Sequence, residues 1–277
     1  MTLDYGMLDG RRPYYRVGDP DGDPLFVLPG LSDAFQRGAP SRGTAVVLSR
    51  LYREFSDRDV WVVGRRRHLS VGSSTRDMAA SYATVIDEQG LWPADVIGVS
   101  MGGLVAQYLA ADYADYVDSL ALVSAASRLG GHGEQVIRDW RQLAGKSKWA
   151  DILADAERES ATGTKRTVAP FLIELAGIFA DLRPAVPADV VVSLSACLEH
   201  DSRDRLGDID VPTLVAAGDA DHFFPEPRLR ETKDGIDDAT LALFKGVGHN
   251  LAVSETDELN GITRRFFEGF RDNALYP

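Results

Sequence analysis

The chain has 277 residues, 44% hydrophobic and 26% charged, with a formal net charge of −12 from 42 acidic and 30 basic side chains. The composition is that of a globular protein, and the charge argues against nonspecific binding to nucleic acid or to an anionic membrane surface. The single cysteine, Cys197, excludes an internal disulfide, and the length suits one large α/β domain with room for an inserted subdomain.

The N-terminus has neither the basic start nor the apolar core of a secretory leader, and no apolar run approaches a membrane span, so a cytoplasmic protein is expected. Leu3 to Leu8, a turn at Asp9-Gly10, and Pro13 to Val17 read as a β-hairpin. Leu25 to Leu28 is a fully apolar strand stopped by Pro29-Gly30, and Leu31 to Phe35 follows as an irregular loop. Thr44 to Phe55 has helical spacing, and Asp59 to Gly64 is another apolar strand. Ser74 or Thr75 can cap a helix running to about Gln89, with Asp77 in capping-box position and Gly90 as its stop. Strands follow at Asp95 to Val99, Asp118 to Val123, Val211 to Gly218 and Thr240 to Phe244, and Ser254 is expected to cap a last helix, Glu255 to Phe270, with Asp257 completing a capping box.

Apolar strands alternating with helices imply a mostly parallel, doubly wound sheet after an antiparallel start, with ligands bound beyond the carboxyl ends of the strands. Ser127 to Gly207 breaks the alternation and reads as helices: Glu134 to Leu143, Ala150 to Arg158, Thr167 to Ala180 and Ala188 to Glu199. Both of its ends emerge at the ligand-binding edge of the sheet, so residues 127–207 are expected to form a helical lid on a core made of 1–126 and 208–277.

Between the strand at Val96 to Val99 and the helical run from Gly102 sits Gly98-Val-Ser100-Met-Gly102. A strand turning straight into a helix needs small residues beside the corner, and it leaves the central hydroxyl pointing outward beside free helix N-terminal amides, that of Met101 first. A bare G-x-S-x-G arises by chance about 0.1 times in a chain of this length, so its placement between strand and helix carries the weight. A serine hydroxyl needs a base, usually a histidine held by a carboxylate. His249, in Gly246-Val-Gly-His-Asn250 after the last strand, is the candidate base; His222 competes, while His68, His132 and His200 read as solvated or substrate-facing. The loop after the Val211 strand offers Asp219 and Asp221 as the acid, and one of the two caps the turn.

These motifs together resemble the α/β-hydrolase superfamily, in its lidded serine-hydrolase type, over nearly the whole chain outside the lid. The resemblance implies an eight-stranded twisted sheet flanked by helices, with the lid after the sixth strand, and the chain order Ser100, Asp, His249 is that family's. The family's G-x-x-D pattern assigns the acid to Asp221 and leaves Asp219 structural. It also implies an oxyanion hole of two backbone amides, Met101 and Leu31, although the usual His before Gly30 is Pro29 here, which removes a side chain that steadies the loop.

The implied activity is cleavage of a small-molecule carboxylic ester, lactone or related acyl substrate through an acyl-enzyme, with no metal or organic cofactor. Alternatives on the same fold are a C–C bond hydrolase, thioesterase, acyltransferase or cofactor-free perhydrolase, or a ligand receptor with little turnover. Serine as nucleophile argues against the epoxide hydrolases and haloalkane dehalogenases of this superfamily, which use aspartate there. Phe35, Phe223 and Phe224 lie beside the catalytic loops and are expected either to line the pocket or to pack in the core. Arg65-Arg66-Arg67 reads as a solvated basic loop in preference to an attractor of anionic substrate. No nucleic-acid partner and no membrane span are expected, and the sequence carries no reading of oligomeric state.

Overall fold

The computed structural model describes residues 2–36, 38–160 and 182–269. It contains eight strands: β1 (Thr2–Leu8), β2 (Arg12–Gly18), β3 (Pro24–Leu28), β4 (Asp59–Val63), β5 (Ala94–Val99), β6 (Val117–Val123), β7 (Thr213–Gly218) and β8 (Ala239–Phe244). They form one sheet in the order β1-β2-β4-β3-β5-β6-β7-β8. β2 runs opposite to both its neighbours, and every pair from β4 to β8 is parallel. The hairpin turn forms at Asp9-Gly10 because both residues accept positive φ, 49° and 68°.

The register places the carboxyl ends of the central strands side by side. Leu28 of β3 stands opposite Gly98 of β5, Val99 opposite Val123 of β6, and Gly218 of β7 opposite Phe244 of β8. The loops leaving these residues carry Pro29 to Asp33, Ser100, Ser124, Asp219 to Phe224 and Val247 to Asn250 to one edge.

Among the described residues the helices are α1 (Arg42–Ser49), α2 (Thr75–Gln89), α3 (Met101–Asp112), α4 (Gly131–Gly145), α5 (Trp149–Ser160), α6 (Pro187–Glu199), α7 (Glu226–Gly235), α8 (Leu251–Ser254) and α9 (Thr256–Phe267). Alternate strand residues feed two cores. Phe26, Leu28, Val96, Leu120 and Val215 pack with α2, α3 and the helices between β6 and β7 on one face. Leu25, Val27, Ile97, Ala121 and Leu214 pack with Ile262 and Phe266 of α9 on the other. Strand residues buried from both sides explain the continuous apolar runs.

The capping box of α2 forms with Ser74 and Asp77, and Gly90 closes the helix in the left-handed region. Two expected helices differ. The stretch from Thr44 is α1 followed by a 3-10 segment, Arg50–Phe55, broken at Tyr52 (φ −118°). Ser254 does not cap the last helix: it ends α8, Glu255 takes the cap position of α9, and α9 stops at Phe267. The segment between β6 and β7 contains α4, α5 and α6, close to the expected bounds, whereas the helix expected over Thr167 to Ala180 lies outside the described residues. No helix among the described residues is long and apolar enough to cross a membrane.

Candidate active site

Ser100 sits between β5 and α3 at φ 52°, ψ −119°, a conformation that side-chain-bearing residues rarely adopt. Backbone bonds fix the corner: Ser100 N donates to Val123 O at 2.8 Å, and Gly103 N donates to Ser100 O at 2.8 Å. The flanking glycines are required by close approach. A Cβ on Gly98 would stand 2.6 Å from Gly103 Cα, and one on Gly102 would run into the Leu28 carbonyl. Met101 is the first residue of α3, so its amide has no partner within the helix.

The Ser100 hydroxyl lies 2.8 Å from His249 Nε2, and His249 Nδ1 lies 2.8 Å from Asp221 Oδ2. The Asp221 side chain is fully buried, and its other oxygen accepts from the Phe223 and Phe224 amides at 2.8 and 3.1 Å. A carboxylate only accepts, so Nδ1 of the imidazole is the donor and Nε2 is left to accept the serine proton. The Phe223 and Phe224 rings stack beside the imidazole at 4.6 and 5.8 Å, and Trp140 of α4 packs on Phe223 at 5.6 Å. The histidine is thus held by two hydrogen bonds and two rings. Asp219 sits apart from the chain of bonds: its carboxylate accepts from Gly246 N at 2.6 Å and so ties the β7 loop to the loop carrying His249.

Ser100, His249, Met101 and Leu31 face a cavity of about 600 Å3. Phe35, Phe223 and Phe224 all line it, and its wall is completed by Leu129, Ile137, Trp140, Ile152 and Leu153 from the segment after β6. The two alternatives for the phenylalanines therefore coincide, since Phe223 and Phe224 are buried against the histidine while presenting an edge to the cavity. Cys197 also borders the cavity, buried, with its thiol pushed up to about 12 by that burial, so it stays protonated.

The Arg65–Arg67 loop departs from its expected character. Only Arg66 is exposed, and Arg65 and Arg67 are 2% and 6% exposed. Asp33, itself 1% exposed, accepts from the Arg65 amide at 2.9 Å and from both terminal nitrogens of Arg67 at 3.1 and 3.2 Å. The Arg65 guanidinium then donates to the carbonyls of Pro29 (3.2 Å), Gly30 (3.1 Å from each terminal nitrogen) and Leu31 (3.4 Å). The loop that carries the Leu31 amide is clamped from beneath by an arginine. The sequence held one signal of this: an aspartate in the Pro29-Gly-Leu-Ser-Asp33 loop and an arginine run, both at the same sheet edge.

The remaining histidines separate. His132 is exposed and bonds Glu159 at 2.8 Å, with His222 edge-on to it at 5.6 Å. His68 is exposed. His200, expected to face solvent or substrate, is instead 5% exposed, with Nδ1 2.8 Å from the Thr75 hydroxyl, and burial lowers its pKa to about 3. No group of three or more His, Cys, Asp or Glu among the described residues could hold a metal ion.

A family model described as the alpha/beta hydrolase fold matches residues 55–256. A pimeloyl-[acyl-carrier protein] methyl ester esterase of Neisseria meningitidis is 29% identical over 189 residues, covering 65% of this chain and 59% of that protein. The chain thus spans about three fifths of the length of that relative. An AB hydrolase superfamily protein of Bacillus subtilis is 32% identical over 199 residues, covering 68% of this chain and 72% of that one. Among solved structures, the enol-lactonase from Burkholderia xenovorans superposes with a TM-score of 0.72 at 21% identity, covering 96% of this chain and all of that one, which shows the shared fold.

Proposed function

The chain belongs to the alpha/beta hydrolase fold family, and from that premise we propose that it is a hydrolase that cleaves a small-molecule carboxylic ester or lactone through Ser100, His249 and Asp221. The observation that carries the reading is the unbroken line of hydrogen bonds from the Ser100 hydroxyl through the imidazole to the buried Asp221, opening on an apolar cavity. The names of two similar proteins, a methyl ester esterase and an enol-lactonase, concern the same bond class.

In the proposed reaction Ser100 Oγ attacks the acyl carbonyl carbon while His249 Nε2 takes the hydroxyl proton. Asp221 holds the imidazole in the Nδ1–H tautomer and stabilises its cation. The carbonyl oxygen, now negative, is received by the Met101 and Leu31 amides, each contributing a factor of about 10² or more in rate. The C–O bond to the alcohol breaks, the leaving oxygen takes the proton from His249, and water repeats the attack on the acyl-enzyme. In a lactone the leaving alcohol stays attached to the acyl chain. The helices α4, α5 and α6 of the segment 127–207 serve as the lid that walls the acyl pocket on the core formed by 1–126 and 208–277.

The test is hydrolysis of p-nitrophenyl esters of increasing acyl length, with wild type beside Ser100→Ala, together with labelling by an activated phosphonate. The reading requires activity and labelling in the wild type and neither in the variant. Labelling that persists in Ser100→Ala removes Ser100 from its role.

A further inference from the structure

A second cavity, of about 170 Å3, lies behind the clamped loop, between the start of β2, the loop after β4 and α2. Its volume is several times the roughly 30 Å3 that a water takes up in the liquid. Its walls differ in kind from those of the apolar cavity. Arg12, Arg65, Arg66 and His68 border it, and serine hydroxyls stand between them.

Arg12 is the central feature. It is 4% exposed, and its guanidinium makes one hydrogen bond, from Nη2 to the Ser81 hydroxyl at 2.6 Å. Its Nε and Nη1 are buried and find no acceptor. The nearest carboxylate, Asp9, is 3.6 Å from Nε, too far for a full hydrogen bond, and belongs to a half-exposed turn residue. A buried guanidinium with unmet donors is a costly arrangement in a folded protein, and Arg65, whose Nε is likewise without an acceptor, is also on the cavity wall. Burial lowers the pKa of Arg12, and the neighbouring Arg66 charge lowers it further, against opposing contributions from Tyr82 and Asp9. The site lacks negative charge, not positive.

The one carboxylate on the cavity wall does not supply it. Asp77 is committed to the capping box, where it accepts from Ser74 N at 2.9 Å and from the Ser74 hydroxyl at 2.7 Å. Asp33 is likewise taken up by Arg65 and Arg67.

We propose that this cavity is a binding site for a phosphate-type oxyanion, held by Arg12 and Arg66, separate from the Ser100 cavity. Its polar lining comes from three places: Arg12 from β2, Arg66 from the loop after β4, and Ser70 and Ser73 from before α2. A tetrahedral anion with several acceptor oxygens fits such a set better than a planar carboxylate. In a chain of net charge −12 this concentration of arginine is a local exception to the overall field. The site stands or falls independently of the ester-cleaving reading.

The experiment is thermal unfolding of the full chain in sodium phosphate against sodium chloride at equal pH and ionic strength, with phenyl phosphate and acetate as further arms. Phosphate is expected to raise Tm, by about 3 °C at ten times its Kd and then with the logarithm of its concentration. Acetate at the same concentration is expected to give no such rise. Arg66→Ala, an exposed position that the fold tolerates, is expected to weaken the apparent affinity about ten-fold or more, and Arg12→Lys, which keeps the charge but loses the fork, to do the same. Phenyl phosphate acting like phosphate identifies an organic phosphomonoester as the ligand class, and phosphate acting alone identifies the free anion. No rise beyond that in chloride, an equal rise with acetate, or a rise undiminished in Arg66→Ala overturns the proposal.

Discussion

The Arg65 guanidinium donates to the Gly30 carbonyl from both of its terminal nitrogens, at 3.1 Å each, from a position 2% exposed beneath the loop that ends in Leu31. Gly30 in turn lies against Ser100, so close that a Cβ on it would stand 3.4 Å from Ser100 Cβ. The orientation of the Leu31 amide is set through this contact, and the arginine takes the place of a steadying side chain at position 29. Arg65→Met is expected to lower kcat about 10- to 100-fold with KM within a few-fold, because the loss falls on charge that develops in the transition state. Arg65→Lys should recover part of it. Steady-state kinetics on a p-nitrophenyl ester decides: a change confined to KM, or an equal loss in stability with no kcat effect, removes the positioning role.

Asp221 and Asp219 stand two residues apart and do different work. Asp221→Asn removes the acceptor that fixes the imidazole tautomer and is expected to cost about 10³- to 10⁴-fold in kcat. Asp219→Asn loses only the bond to Gly246 N, so kcat should stay within a few-fold while stability drops by about 1 kcal/mol. Measuring kcat and the urea midpoint of both variants separates the roles, and the reverse pattern exchanges the assignment.

The backbone of Ser100 carries a conformational cost that glycine would not. Ser100→Gly and Ser100→Ala should both be inactive, yet the glycine variant should be the more stable of the two by about 1 kcal/mol. Denaturant unfolding checks this, and equal stabilities would show that the corner is unstrained.

His200 is buried and neutral, with its pKa lowered to about 3 by desolvation against an ordinary value near 6.5. The unfolded chain therefore binds the proton more readily, and this residue withdraws stability as pH falls from 6.5 toward 3. Between pH 7 and pH 5 the loss attributable to it is about 2 kcal/mol. His200→Gln should be less stable at pH 7, through its weaker packing beside Thr75, but should lose less on going to pH 5. Unfolding midpoints at the two pH values test this; identical pH slopes in wild type and variant would place the acid sensitivity elsewhere.

The apolar cavity predicts acyl selectivity. Ala156 of α5 is on its wall, and Ala156→Trp should shift the preferred p-nitrophenyl ester toward shorter acyl chains, lowering kcat/KM for long chains about ten-fold while sparing acetate. An unchanged chain-length profile would remove α5 from the acyl pocket.

The hairpin, the eight strands and the serine corner were legible because each rests on local chemistry: Asp9-Gly10 tolerates positive φ, and Gly98 and Gly102 are the only residue type the corner admits. The burial of Arg65 and Arg67 was not, because it depends on Asp33, which lies over thirty positions earlier and only meets them across the sheet edge. A run of three arginines reads as solvated until its partner is known. The expected cap at Ser254 failed for a related reason: the residue is used in the preceding turn, and Asp257, the other half of the pattern, is paired with Arg53 at 2.7 Å. His200 carried no local sign of burial, since its neighbours Glu199 and Asp201 are polar and its companion Thr75 belongs to a distant helix.

Asp189, near the start of α6 and 2% exposed, accepts from the His68 and Leu69 amides at 2.9 and 2.8 Å, one residue beyond Arg67. At the end of α5, in the same segment between β6 and β7, Ser160 O accepts from Asn250 N at 3.2 Å, one residue beyond His249. The segment is thus stitched to the core beside the arginine clamp and beside the His249 imidazole, not only at its two covalent junctions. Recombining it with the equivalent stretch of a relative transplants more than a pocket wall: a donor lacking a carboxylate at position 189 leaves two backbone amides without an acceptor. Crossover points chosen from the strand boundaries alone would cut through this coupling, so a chimera would inherit a new specificity together with a loosened catalytic floor.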